Sequence, residues 1–351
     1  MVEIIDVERQ GYWNEIVNSF EIKDIYFGCE YNVALMLHGD GRPKLIYFRS
    51  DSARLAYIMF ENDISNLNVF AGIIEKSKYI DWTSPYGYGG PLFDGEFTKE
   101  IILQFKKELF AYCSEHNIVS QFFRFHPLLH NHTIFTDICE LKCLKRTVTI
   151  DVSNRENIDK NMTSKCRNQV RKAEKSGIQI FWDKGENVDV FHEIYYKTMS
   201  YHQADEYYYF KKEYLDYMIK NMKDNIMFFY AKKDGIIISA AIIIYNDSYA
   251  HYHLSGTRIE YRKYDSNNLL LRTVAYWASE NGMREFHLGG GTEAEDSLYR
   301  FKRNFCPQGV REFYIGRTIF DRAAFDKLVE LRKQKDSSFD SDTPFMIKYR
   351  A

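Results

Sequence analysis

Residues 236–291 read IIISAAIIIYNDSYAHYHLSGTRIEYRKYDSNNLLLRTVAYWASENGMREFHLGGG, and this stretch decides the fold. A β-branched run over 236–245 meets a turn signal at Asn246-Asp247 and continues as a second strand-like run over 248–255. A helical pattern then starts at Ser266-Asn267, runs to Asn281 and stops at Gly282. Residues 285–288 are again strand-like. Upstream, residues 226–232 add a third strand through the turn signal Asp234-Gly235. Downstream, a helix over 293–304 and a strand over 312–316 complete the series. Three consecutive strands thus feed a helix whose N-terminus can face a ligand, followed by strand, helix and strand.

The remainder keeps the same mixed rhythm. An amphipathic segment over 10–20 precedes strand-like runs at 44–49, 54–60 and 79–83. A glycine-rich turn, SPYGYGGP (84–91), leads to a helix over 97–116 and a strand over 119–125. From residue 147 come a β-branched run, a basic helix over 160–175 ended by Gly177, a short strand over 178–182 and helices over 188–200 and 211–222. The pattern predicts an α/β (α+β) chain with domains at 1–146 and 147–320, then a helix and a loose Ser/Asp-rich tail over 321–351.

Composition agrees with that class. A chain of 351 residues is long enough for two domains, and 45% hydrophobic with 27% charged residues is an ordinary globular balance. Net charge is −2, so no global basic field attracts nucleic acid and any phosphate contact needs a local patch. Residues 1–10 carry Glu3, Asp6, Glu8 and Arg9 and do not read as a signal peptide. The most apolar run falls far short of the roughly 20 residues of a membrane span. A soluble, cytoplasmic protein without membrane insertion is expected. The six cysteines are scattered, and only Cys139 and Cys143 are close, which predicts free thiols and no metal site.

Three stretches carry a family resemblance: KCRNQVRKAEKSGI (165–178), YRKYDSNNLLLRTVAYWASENG (261–282), and FHLGGG followed by LYRFKRNFCP (286–307). Together, in this order, they resemble the FemAB family, whose members carry two tandem GNAT-like domains. The resemblance implies two GNAT-like acyl-CoA N-acyltransferase domains, with mixed central sheets flanked by helices. It also implies amide-forming acyl or aminoacyl transfer to an amine acceptor such as a peptidoglycan precursor or another cell-envelope component. The donor would be aminoacyl-tRNA or acyl-CoA, with no tightly bound cofactor and tRNA as a possible partner. Two departures stand out: residues 160–316 have no room for the family's long helical hairpin, and Arg262 to Asn267 (RKYDSN) lacks the glycines of an acetyl-CoA pyrophosphate loop. The alternatives are a CoA-dependent N-acetyltransferase acting on an amino sugar or other small amine, and a non-catalytic module that binds RNA or phosphoglycans.

Attack of an amine on an ester or thioester needs positioning and oxyanion stabilisation rather than an enzyme nucleophile. No nucleophile elbow is present. The resemblance points to Lys302 as the catalytic cation and to Phe301 beside the substrate; the plain alternative is a solvated Lys between Arg300 and Arg303. On the strand 251–255, alternation puts His251, His253 and Ser255 on one face; His253 is a candidate general base, against the alternative of a structural strand histidine, and Tyr252 is a candidate substrate contact. Arg167 and Arg171 share one face of the basic helix and are candidate phosphate or substrate contacts, against the alternative of a solvated face. Arg262, Lys263, Ser266 and Asn267 surround a helix N-terminus suited to donor phosphates, although Ser266 or Asn267 also reads as a simple N-cap. In the first domain, Tyr86 and Tyr88 in the glycine loop, with Arg124, are candidate walls of an acceptor cleft. HLGGG (287–291) lacks the spacing of a dinucleotide loop.

Overall fold

Asp234 and Gly235, with φ of 49° and 84°, close the tight turn signalled between two of the strands, and most other boundaries also fall at turn or cap residues. The computed structural model describes residues 1–351. Its strands, in chain order, begin with β1 (Val2–Asp6), β2 (Arg42–Arg49), β3 (Ala53–Asp63), β4 (Ile80–Thr83), β5 (Leu92–Gly95) and β6 (Ile118–Arg124). They continue with β7 (Glu140–Asp151), β8 (Gln179–Asp183), β9 (Ile226–Lys233), β10 (Ile236–Tyr245), β11 (Tyr249–Thr257), β12 (Glu285–Gly289) and β13 (Val310–Ile319). The helices are α1 (Gln10–Ser19), α2 (Cys29–His38), α3 (Lys99–Glu115), α4 (Arg155–Asn161) and α5 (Ser164–Lys175). They are followed by α6 (Val188–Tyr201), α7 (Lys212–Asn221), α8 (Ser266–Glu280), α9 (Ser297–Arg303) and α10 (Arg322–Lys335).

The chain divides into two units, residues 1–144 with 313–351, and residues 145–312. In the first, the strand order is β1-β2-β3-β4-β6-β13, with β5 also on β3; β4 and β6 run parallel and the other pairs antiparallel. Buried residues of α3 recur at Phe105, Leu109 and Cys113, the i, i+4, i+8 spacing that aims one helix face at a sheet. They meet an aromatic cluster of Tyr57, Phe123 and Phe135. The last residues, expected to be loose, pack in this unit. Arg350 makes two 2.6 Å bonds to the buried Asp81 carboxylate, and the Tyr349 hydroxyl adds a third at 2.9 Å. Residues 321–351 are therefore part of the first unit, not an appendage.

The second unit orders its strands β7-β12-β11-β10-β9-β8, antiparallel except for the parallel pair β11–β12. One face is covered by α8, whose buried Leu270, Leu271, Val274, Ala275 and Ala278 join Val148, Ile150, Phe229 and Ile243 in a single core. The other face meets α6, where the approach to β11 is close enough that a Cβ on Gly256 would lie 2.9 Å from the Ile194 carbonyl oxygen. The expected basic helix over 160–175 is two helices, because Thr163 is extended (φ −64°, ψ 155°) and caps α5 by accepting from the Cys166 amide. The expected helix over 293–304 starts only at Ser297, where Asp296 is the N-cap.

Candidate active site

β11 and β12 pair over three residues only, ending at His251 and His287, after which β11 continues to Thr257 without that neighbour. Where the ladder stops, a cleft of about 890 Å³ opens, within the size range of small-ligand sites. Its walls are Tyr252, Ser255, Gly256 and Thr257 of β11, the end of α6 with the loop behind it, the first turn of α8, and α9 with Phe301. Every lining residue belongs to the second unit.

The wall contributed by β11 is set by a bulge. Ile242 pairs with Leu254 and Ile243 with Tyr252, so His253 is an extra residue with no partner position. The expected alternation is broken there. Ser255 falls on the cleft side with Tyr252, while His253 turns to the other side and its Nε2 lies 2.7 Å from the Tyr214 hydroxyl. Burial, with the neighbouring His251 acting the same way, pushes the His253 imidazolium down to about 3. A ring held neutral and engaged with Tyr214 is a weak proton acceptor, which corrects the expectation of a general base at His253. On the cleft side, burial pushes the Tyr252 phenol up to about 12, the Ser255 hydroxyl opposing.

Lys302 does not stand on the cleft wall. It is 8% exposed, with Nζ donating to the Gly290 carbonyl at 2.7 Å and lying 5.8 Å from the centroid of the Tyr252 ring. Burial lowers its ammonium to about 7; the nearby charge of Lys145 acts in the same direction, and Asp296 opposes both. Lys145 donates to the carbonyls of Gly291 at 2.6 Å and Thr292 at 3.1 Å. Asp296 holds the same loop from its amide side, accepting from Thr292, Glu293 and Tyr299. This is the purpose of the glycine run: a Cβ on Gly291 would lie 2.0 Å from an Asp296 carboxylate oxygen. The neighbouring Phe301 faces the cleft, so consecutive residues of α9 supply an apolar wall and a buried cation.

At the start of α8, Asp265 adopts a left-handed conformation (φ 55°) and no side chain caps the helix. Ser266 is buried, its hydroxyl 2.6 Å from that of Ser239, so it is neither a cap nor a free phosphate ligand. Asn267 lines the cleft. Arg262 also lines it, with its guanidinium 2.8 Å from the His202 ring nitrogen and stacked on Tyr201 at 4.6 Å. Lys263 packs on Tyr264, outside the lining. A carboxylate therefore stands where the pattern suggested donor phosphates, Asp265 accepting from Lys172 at 2.6 Å and from Gln169 at 3.3 Å.

Arg167 is tied to backbone, donating to the carbonyls of Asp159 and Met162, and Arg171 donates to Asn168 at 3.1 Å. In the first unit, Tyr88 is a core residue packed edge-on against Tyr26 and Phe313, and burial raises its phenol well above the usual range. The expected cleft wall is thus an internal packing element. The Tyr86 carbonyl accepts from Tyr31 at 2.9 Å, and Arg124 donates to the Gly87 carbonyl at 3.1 Å. Sequence reasoning missed Lys145, Asp296 and Gln169. Only Asp296 carried a legible signal, an acid followed three residues later by the start of an apolar helix face.

A family model for the acetyltransferase (GNAT) domain matches residues 160–303. No curated protein sequence matches the chain. Among solved structures the chain is similar to FemX, at 13% identity over 93% of this chain and 99% of that chain, with a TM-score of 0.66. It is similar to the C-terminal domain of a putative lysylphosphatidylglycerol synthetase from Agrobacterium fabrum, at 15% identity over 91% and 93% of the two chains, TM-score 0.55. It is also similar to a tandem GNAT protein from the clavulanic acid biosynthesis pathway, at 9% identity over 91% and 99%, TM-score 0.51. At such identities the likeness is one of fold. The chain has the fold of FemX and of the tandem GNAT protein, and the residues that match the acetyltransferase (GNAT) domain lie within its second unit.

Proposed function

We propose that the protein is an amide-forming acyltransferase whose chemistry takes place in the cleft of the second unit. The observation that carries this reading is the buried Lys302, directly behind the Tyr252 and Phe301 walls at the point where β11 and β12 part. The amine nitrogen of the acceptor bonds to the donor carbonyl carbon, and the ester or thioester bond breaks. The proton shed by the amine ends on the leaving hydroxyl or thiol. Positioning in the cleft and a positive field behind the developing oxyanion are what this reaction requires. No cysteine lines the cleft, in keeping with direct transfer rather than an acyl-enzyme.

The donor is an aminoacyl-tRNA or an acyl-CoA, and the acceptor an amine of a peptidoglycan precursor or another cell-envelope component met in the cytoplasm. The FemAB resemblance supports this choice. A CoA-dependent N-acetyltransferase is the second reading, favoured by the description of the matching domain and by the uncapped first turn of α8 in the cleft. The test is transfer from radiolabelled acetyl-CoA and from charged tRNA to amine acceptors, in the parent and in Lys302→Ala. Loss of oxyanion stabilisation is expected to lower turnover about 100-fold or more with donor binding retained. Unchanged turnover removes Lys302 from the mechanism, and transfer from neither donor overturns the reading.

A further inference from the structure

Beside the main cleft lies a smaller cavity of about 310 Å³, lined by Lys165, Gln169, Ser297, Arg300, Phe301 and Asn304. It shares Gln169, Ser297 and Phe301 with the cleft, so the two adjoin at the Phe301 side chain. Its lining has two cations, two amides, a hydroxyl and no acid. The main cleft differs in sign, with Asp205, Asp265 and Asp296 against Arg262 alone.

Four of the other basic groups of this region are already engaged. Lys172 is bonded to Asp265, Arg262 to His202, Arg167 to main-chain carbonyls and Arg171 to Asn168. Lys165 and Arg300 are exposed, carry no carboxylate partner, and converge from two different helices on one concave surface. Lys165 sits in the first turn of α5, where the helix dipole adds positive potential. The Asn304 side-chain oxygen accepts from the Thr163 hydroxyl at 3.3 Å, leaving its amide hydrogens as the available donors. A guanidinium, an ammonium and an amide around an acid-free hollow match the chemistry of a phosphoester.

We propose that this side cavity is the seat for the phosphoester of the activated donor, held by Lys165 and Arg300, while the acyl end reaches around Phe301 into the cleft. The assignment rests on the acyl-transfer reading for the identity of the ligand. It moves the phosphate contact from the first turn of α8, where Asp265 stands, to the space between α5 and α9. The shared chemistry is a phosphorylated adenosine terminus, whether from CoA or from the end of a charged tRNA.

The experiment is calorimetric titration of the full chain with adenosine 3′,5′-bisphosphate, with the trinucleotide CCA, and with adenosine as the phosphate-free control. At least one phosphorylated probe is expected to bind, at least about tenfold more tightly than adenosine, and the one that binds names the source. The Lys165→Ala/Arg300→Ala double variant is expected to weaken that probe at least about tenfold, whereas Lys263→Ala, with its side chain outside both cavities, leaves it within about twofold. Equal affinity of parent and double variant overturns the assignment, as does failure of both phosphorylated probes to bind. Binding is read without turnover. A chain that binds the probe through Lys165 and Arg300 yet transfers no acyl group keeps the seat and loses the acyltransferase reading. A chain that transfers acyl groups but binds the probe equally well in the double variant loses only the seat.

Discussion

Replacing Lys302 by Met removes a charge that the fold holds against its own burial, and the consequence for stability has a definite pH dependence. The ammonium falls from its ordinary 10.5 to about 7 in the folded chain. At 1.36 kcal/mol per pH unit, holding the proton in the folded state costs roughly 5 kcal/mol below pH 7. Because the folded value is the lower one, the unfolded chain binds more protons between pH 7 and 10.5. The parent therefore gains stability as pH rises through that window and carries the full penalty beneath it. Met has similar length and no charge, and it forgoes the Gly290 bond at a cost of about 1 kcal/mol. That loss and any packing change are the same at every pH, so they cancel in the comparison. The advantage of Lys302→Met over the parent should shrink by about 3 kcal/mol between pH 6 and pH 9. Urea unfolding followed by tryptophan fluorescence at the two pH values measures it. A difference that is the same at both, or that widens toward pH 9, refutes the picture of a buried, destabilised ammonium.

Three further outcomes follow from neighbouring contacts. Lys145→Met removes the second ammonium that presses on Lys302, so the limb of the pH–rate profile set by Lys302 should move to higher pH; an unmoved limb argues against the coupling. Gly291→Ala places a methyl group against the Asp296 carboxylate and should destabilise the loop by about 1–3 kcal/mol, seen as a lowered thermal midpoint; an unchanged midpoint means the loop relaxes freely. Arg350→Ala leaves the buried Asp81 carboxylate with Tyr349 but without its counter-charge, and should lower stability by about 3 kcal/mol in thermal or urea unfolding; an unaffected variant shows that solvent reaches Asp81.

Much of the second unit was legible because its signals are local. Asp234-Gly235 and Asn246-Asp247 separate β9, β10 and β11, and Gly282 follows α8 directly. What the sequence hid depends on partners distant along the chain. The bulge at His253 involves ordinary strand formers and exists only in register with Ile242 and Ile243 of β10. Lys302 looks like a solvated residue in a run of arginines, and its burial follows from packing beside Tyr252 and a carbonyl in a glycine run. The Ser/Asp-rich end appeared loose because its anchors, Tyr349 and Arg350, bond an aspartate 268 and 269 positions earlier. Helix α2 went unread because its buried face mixes Tyr31, Asn32, Ala34 and Leu35, and Asn32 is held inside by the Tyr26 and Gly28 carbonyls. Among the site residues, chemistry-bearing types were easy to find, but whether each was already engaged with a neighbour was not. Arg167, Arg262 and Ser266 illustrate this.

The first unit is assembled from the two ends of the chain, and the order of synthesis gives that arrangement a consequence. Residues 145–312 are synthesised before residues 313–351 exist, so the second unit can begin to fold while the first is still incomplete. At about 5–20 residues per second, the wait between residue 144 and the last residue is roughly 10–40 s. Throughout it, the edge of β6 that will pair with β13 stays open over Ser120–Arg124, and Asp81 lacks the Arg350 that neutralises it. An open strand edge held that long in a growing chain is a site for mispairing with a neighbouring nascent copy. The half-made first unit, rather than the contiguous second one, is where protection by a chaperone would be needed.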